Sequence, residues 1–242
     1  MPHLLVCSLP PPQLQYDEQS VEAWYFYQLS VLVLTIHQPD ITIHTIPALM
    51  KYNCGYFSCM NNYPKTIESG TGEQLTFVRR YVKDGNEYLE AENLVQPGSG
   101  PPMHVHHLQD ESLTVLEGVL AAQVLGEEPK YFYPGETAYF ARGVAHKFWN
   151  AGNTPLRCTG FVTPVYNLEY FLTEIYRSTR EGGKGRPATF DAAFLLDRYK
   201  SEFDMFDIPS FVKKVIFPVT IFTGKLKGLH RKFKNAPQPV MK

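Results

Sequence analysis

Between Lys65 and about Val165 the chain runs in short segments of β-branched, aromatic and alternating apolar residues, each closed by Gly, Pro, Asn or Asp. Leu75 to Val82 is followed by Lys83-Asp84-Gly85-Asn86, then Tyr88 to Val95, then a stretch rich in Pro and Gly over 96–102. Leu113 to Leu125, Lys130 to Tyr133, Thr137 to Phe140, Ala145 to Asn150 and Leu156 to Thr163 complete the set. Short strands at this spacing, with no second copy of the pattern, predict one all-β sandwich or barrel. After Tyr166 the period lengthens to that of a helix. Leu168, Phe171, Leu172, Ile175 and Tyr176 fall on one face behind Asn167, a good N-cap, and Gly182-Gly183 ends the run. Thr189 is the expected cap of a second helix carrying Ala192, Leu195, Leu196 and Tyr199 on one stripe. Pro209 and Pro218 divide Ser210 to Lys234 into shorter helical pieces.

The pattern divides the chain in three: a leader of ill-defined structure over 1–62, a β-barrel over 63–165, and a helical extension over 166–242. Within the leader only Leu29 to Ile36 has the β-branched character of a strand. A chain of 242 residues has room for one large domain with appendages, and 44% hydrophobic residues argue against wholesale disorder.

Charge adds a second division. All 24 acidic residues lie at or before Asp207, so residues 208–242 carry eight bases and no acid, while residues 1–207 hold 15 bases against those 24 acids. An acidic body with a basic tail repels nucleic acid from its main surface, so no nucleic-acid partner is expected. Four irregularly spaced cysteines make neither a disulfide framework nor a zinc ribbon. The first 22 residues hold no Lys or Arg, and the longest apolar run, Ala23 to Pro39, falls short of a membrane span. A cytoplasmic, reducing location is the expectation.

Four of the eight histidines fall between His104 and His146. In Met-His-Val-His-His-Leu-Gln-Asp-Glu, residues 103–111, strand alternation turns His104 and His106 to one face and His107 to the other. A turn after His107 lets Glu111 present a carboxylate to the same interior, and His146 arrives from a distant strand. A lone histidine is more often a hydrogen-bonded core or surface residue, but in this register three imidazole nitrogens and one carboxylate oxygen can meet.

Gly98, His104, His106, Glu111 and Gly118 match the first motif of the cupins without a gap. Gly135, Gly143, His146 and Asn150 match the second, with Ala141 where that family has proline. Over about 100 residues the chain therefore resembles a cupin, in the form of a small single-domain protein with a helical C-terminal extension. The resemblance implies a mainly β fold, a single jelly-roll barrel. It implies one divalent transition metal, iron, manganese, nickel, copper or zinc, held by His104, His106, Glu111 and His146. Imidazole and carboxylate donors suit such ions. It further implies an enzyme acting on a small organic molecule, first a dioxygenase-type oxidoreductase in which Glu111 also serves as catalytic base. A metal-dependent isomerase or decarboxylase, and a non-catalytic small-molecule binder or sensor, remain alternatives.

Alternation from Glu111 turns Leu113 and Val115 inward, and from His146 it turns Phe148 inward, so an apolar substrate pocket lined by these three is expected. In the tail, Phe211, Val212, Val215, Ile216, Val219 and Phe222 form an apolar stripe beside lysines. It suits weak contact with a membrane surface, or packing on the barrel or against a second subunit in a homodimer, and packing is the commoner fate of such a stripe.

Overall fold

A computed structural model describes residues 63–240, together with two short strands, β1 (Leu34–Ile36) and β2 (Ile41–Ile43), which pair antiparallel. The expected strand Leu29 to Ile36 is thus seen over its last three residues, and the rest of the leader lies outside the described residues.

Residues 63–240 build two facing antiparallel sheets. Strands β3 (Lys65–Glu68), β4 (Glu73–Lys83), β5 (Asn86–Val95), β7 (Asp110–Glu117), β10 (Thr137–Phe140) and β12 (Leu156–Thr163) form one, in the order β10-β7-β12-β5-β4-β3. Strands β6 (His104–His106), β8 (Leu120–Val124), β9 (Lys130–Phe132), β11 (Ala145–Asn150) and β13 (Phe203–Met205) form the other, in the order β13-β6-β11-β8-β9. This is the expected jelly-roll arrangement. The apolar side chains that alternate inward, among them Val95, Leu113, Val115, Leu120, Phe140, Phe148 and Leu156, meet between the sheets as one cluster. Gly160 on β12 is required by close approach, since a Cβ there would stand 1.8 Å from the Ser112 carbonyl oxygen on β7.

Helix α1 (Leu168–Gly182) follows the barrel and ends at Gly183, whose φ of 62° closes it. Asn167 precedes it without capping it; its amide donates to Glu202 Oε1 at 2.6 Å and to the Gln238 carbonyl at 2.9 Å instead. Helix α2 (Thr189–Arg198) likewise starts without a side-chain cap, and Thr189 lies inside its first turn. The extension is not purely helical. After α2 the chain adds β13 to the edge of the barrel sheet beside β6, pairing Phe203 with His106 and Met205 with His104. A π-helical turn, Val212–Ile216, then leads into α3 (Phe217–Leu226) and a 3-10 turn, Leu229–Phe233.

The residues that α3 buries are not those of the expected stripe. Phe217 and Gly224 are buried, Gly224 so closely against the Phe190 ring that a Cβ would overlap it. Phe211, Val215, Ile216, Val219, Phe222 and Leu226 are exposed, Phe222 to 64% and Leu226 to 74%. The expected packing on the rest of the protein is therefore not seen for the stripe; α3 packs through Phe217 and Gly224 instead. No helix among the described residues is long and apolar enough to cross a membrane.

Candidate metal centre

Strand β6 carries His104 and His106 into the barrel, and its antiparallel partner β11 places His146 directly opposite His104. Glu111 enters from β7 in the facing sheet, as the second residue after the three-residue loop that leaves β6. The ligating atoms of these four residues all lie within 4.8 Å of one another. His104 Nε2 is 3.1 Å from His106 Nε2, and Glu111 Oε2 stands 3.2 Å from His106 Nε2 and 3.3 Å from His146 Nε2.

The remaining ring nitrogens fix which atoms face inward. His104 Nδ1 lies 2.9 Å from the Pro102 carbonyl and His146 Nδ1 2.9 Å from the Val144 carbonyl. A carbonyl only accepts, so each Nδ1 carries the hydrogen and each Nε2 offers its lone pair to the centre. Burial, followed by the neighbouring His106 and His146, lowers the His104 pKa to about 3, so this ring is neutral at ordinary pH. Burial works against charge on Glu111, yet the His106 and His146 imidazoles beside it hold its carboxyl well below the usual range. Three imidazole nitrogens and one carboxylate oxygen, with adjacent donors 3.1–3.3 Å apart, fit a divalent ion: bonds of about 2.1 Å set neighbouring donors roughly 3.0–3.4 Å apart.

Around the four donors stand groups that their spacing in sequence did not reveal. The Phe140 ring stacks on His146 at 3.9 Å and 5°, and Phe203 of β13 meets His106 edge-on at 5.6 Å. The turn before β11, where alanine replaces the family's proline, is tied down differently. Asp110 accepts the Arg142 backbone N–H at 2.8 Å and its guanidinium at 2.6 and 3.1 Å, which also holds the Asp110 carboxyl below its usual pKa. Gly143, at φ 81°, then gives its N–H to the His106 carbonyl at 2.7 Å. His107 gives its backbone N–H to the Glu202 carbonyl, and its side chain is not among the four that converge.

The centre opens on a cavity of about 440 Å³ lined by His104, His106 and Glu111. Leu113 and Phe148 line it too. Val115, the third expected lining residue, lies one step deeper on the same face, packed in the apolar cluster between the sheets rather than against the cavity. Much of the wall comes from the extension: Leu168, Phe171, Leu172, Ile175 and Tyr176 of α1, Leu196 of α2 and Phe203 of β13. Sequence periodicity marked the α1 residues and Leu196, though not Phe203, as apolar helical stripes, and these pack inward, lining the cavity and, Tyr176 apart, joining Phe203 in a buried apolar cluster.

Residues 92–163 match the family model described as a cupin domain. The chain carries a cupin domain. Over 97 residues it is 36% identical to a protein named oxidoreductase iacF from Pestalotiopsis fici, a match covering 37% of this chain and 48% of that one. Over 69 residues it is 33% identical to the tetracenomycin polyketide synthase protein TcmJ of Streptomyces glaucescens, covering 28% and 46%. The chain spans about half the length of these curated relatives. Among solved structures, a sugar phosphate isomerase of the cupin superfamily from Silicibacter pomeroyi aligns at 21% identity with a TM-score of 0.34, over 39% of this chain and 61% of that one.

Proposed function

We propose that this cupin is a metal-dependent oxidoreductase of the dioxygenase type, acting on a small, electron-rich organic molecule. The observation that carries the reading is the donor set itself, three converging imidazoles and one carboxylate at the wall of an apolar cavity. A relative named as an oxidoreductase supports it. A divalent ion held there supplies Lewis acidity and, for iron, manganese, nickel or copper, redox chemistry; zinc supplies the Lewis acidity alone.

The protein's own part is to bind, orient and exclude water. His104 stays neutral as a donor, and Glu111 brings one negative charge, which leaves a site with a divalent ion positive and selective for an enolate, phenolate or carboxylate. Leu113, Phe148 and the α1 face keep water sparse around such a group. Glu111, the expected base, is held so far below the usual carboxylate range that it suits the role of anionic ligand better than that of proton acceptor near neutral pH.

Oxygen consumption tests the reading. Protein loaded in turn with iron, copper, nickel or manganese is compared with His104→Ala on an oxygen electrode, over a panel of diketones, flavonols and catechols. Uptake by the native protein that the variant lacks is the expected result. Tight binding of the same compounds with no metal-dependent uptake would overturn the oxidoreductase reading in favour of a binder.

A further inference from the structure

The cavity has a second polar end. Glu73 on β4, Asn93 on β5 and Tyr176 on α1 all line it, and none belongs to the metal centre. Asn93 Nδ2 donates to Glu73 Oε1 at 2.8 Å, and the Tyr176 phenol lies against the same carboxyl. Asn93 is only 6% exposed, yet its Oδ1 has no hydrogen-bond partner. A buried acceptor left unpaired costs about 1–3 kcal/mol, so an unpaired amide oxygen on a residue that lines the cavity points to a donor that arrives with a ligand.

Strand register separates this end from the metal. Asn93 pairs with Cys158, and Cys158 with Val115, which is four residues beyond Glu111 on β7. That is roughly 13 Å along the strand direction. Between the two ends the wall is apolar, formed by Leu75, Phe77, Leu113, Phe148, Phe171 and Ile175.

Burial raises the Glu73 pKa, which shifts its balance toward the carboxylic acid, the form that can donate. In that form Glu73 offers an O–H donor beside an acceptor, Asn93 Oδ1, and the Tyr176 phenol, which donates to the same carboxyl, orients it. One group that both donates and accepts is a hydroxyl. We propose that this end recognises a hydroxyl of the substrate remote from the oxygens facing the histidines, so that the substrate is a hydroxylated aromatic with polar groups at both ends of an apolar body. The inference rests on the proposed function only in assigning an oxygen ligand to the metal end.

The test is a matched pair of probes, 3-hydroxyflavone and 3,4′-dihydroxyflavone, titrated by fluorescence into the metal-loaded full chain. The readout is the ratio of their dissociation constants within each variant. Native protein is expected to prefer the dihydroxy probe by about tenfold or more, as a site built to pair a hydroxyl does. Asn93→Leu brings the ratio to about one and Tyr176→Phe reduces it, while Glu73→Gln, which keeps a neutral donor and acceptor, preserves it. A native ratio near one, or a preference that survives in both Asn93→Leu and Tyr176→Phe, overturns the inference. Preference without oxygen uptake leaves it standing and removes the oxidoreductase reading; uptake without preference does the reverse.

Discussion

Replacing Glu202 by leucine is expected to destabilise the fold far more than replacing it by glutamine, for reasons that can be counted. Glu202 is 0% exposed and its two oxygens accept four hydrogen bonds. Oε1 takes Asn167 Nδ2 at 2.6 Å and the Val240 backbone N–H at 3.2 Å, while Oε2 takes the Asn167 backbone N–H at 3.1 Å and Gln109 Nε2 at 3.4 Å. The carboxylate thus joins the start of α1, the end of the extension and the loop between His106 and Glu111. In Glu202→Gln the new NH₂ sits best where Oε2 was, and Gln109 can turn its own unpartnered Oε1 toward it. One donor, the Asn167 N–H, then loses its acceptor, at about 1–3 kcal/mol. Glu202→Leu strands all four, and even with partial relaxation the loss is about 4–6 kcal/mol, a large part of the stability of an ordinary domain. Urea unfolding measures both, and metal content after dialysis reports whether the Gln109 loop still holds His106 and Glu111 in place. The leucine variant is expected to lose metal affinity as well as stability. Equal destabilisation by the two variants, or a cost under about 0.5 kcal/mol for leucine, would refute the count.

Elemental analysis of purified variants should show metal lost from His104→Ala, His106→Ala and His146→Ala but kept in His107→Ala; equal loss in all four would sink the convergence at Glu111. Glu73 has its folded-state pKa raised, so above the unfolded value near 4.5 the unfolded chain gives up a proton that the native chain keeps, and stability falls as pH rises. Thermal melts should therefore show Glu73→Gln gaining on the native protein from pH 5 to pH 7.5, and a difference that does not change with pH would contradict the raised pKa. The exposed face of Phe211, Val219, Phe222 and Leu226, in a segment with eight bases and no acid, is expected to carry the full chain onto vesicles rich in phosphatidylserine and not onto phosphatidylcholine alone. Sedimentation that Phe222→Ser with Leu226→Ser leaves unchanged, or a dimer by light scattering that those changes dissociate, would assign the face elsewhere.

The sequence by itself marked most of the barrel strands and, through its motifs, the four residues that converge, because both follow from short-range patterns; it missed β3 and ran β7 and β8 together. Alternation put His104 and His106 on one face and His107 off it, turn residues bounded Thr137–Phe140, Ala145–Asn150 and Leu156–Thr163 as observed, and the spacing of Glu111 followed from one loop. A period of two residues also carried Val115 inward correctly, yet only the packed barrel decided that Val115 fills core while Leu113 meets the cavity. What depended on distant segments was not legible. Nothing local marks Phe203 as a strand residue, since β13 is three residues long and exists because β6 leaves an open edge for it. Nor does Asn167 look like anything but a cap until Glu202, 35 residues later, takes its amide. Glu73, Asn93 and Tyr176 lie on three elements as far as 103 positions apart in sequence, and they face one cavity only because sheet register and helix docking bring them there. Periodicity tells which way a side chain points; which partner it meets is set by long-range closure of the chain, whose energy lies in burial and pairing between segments that no local pattern encodes.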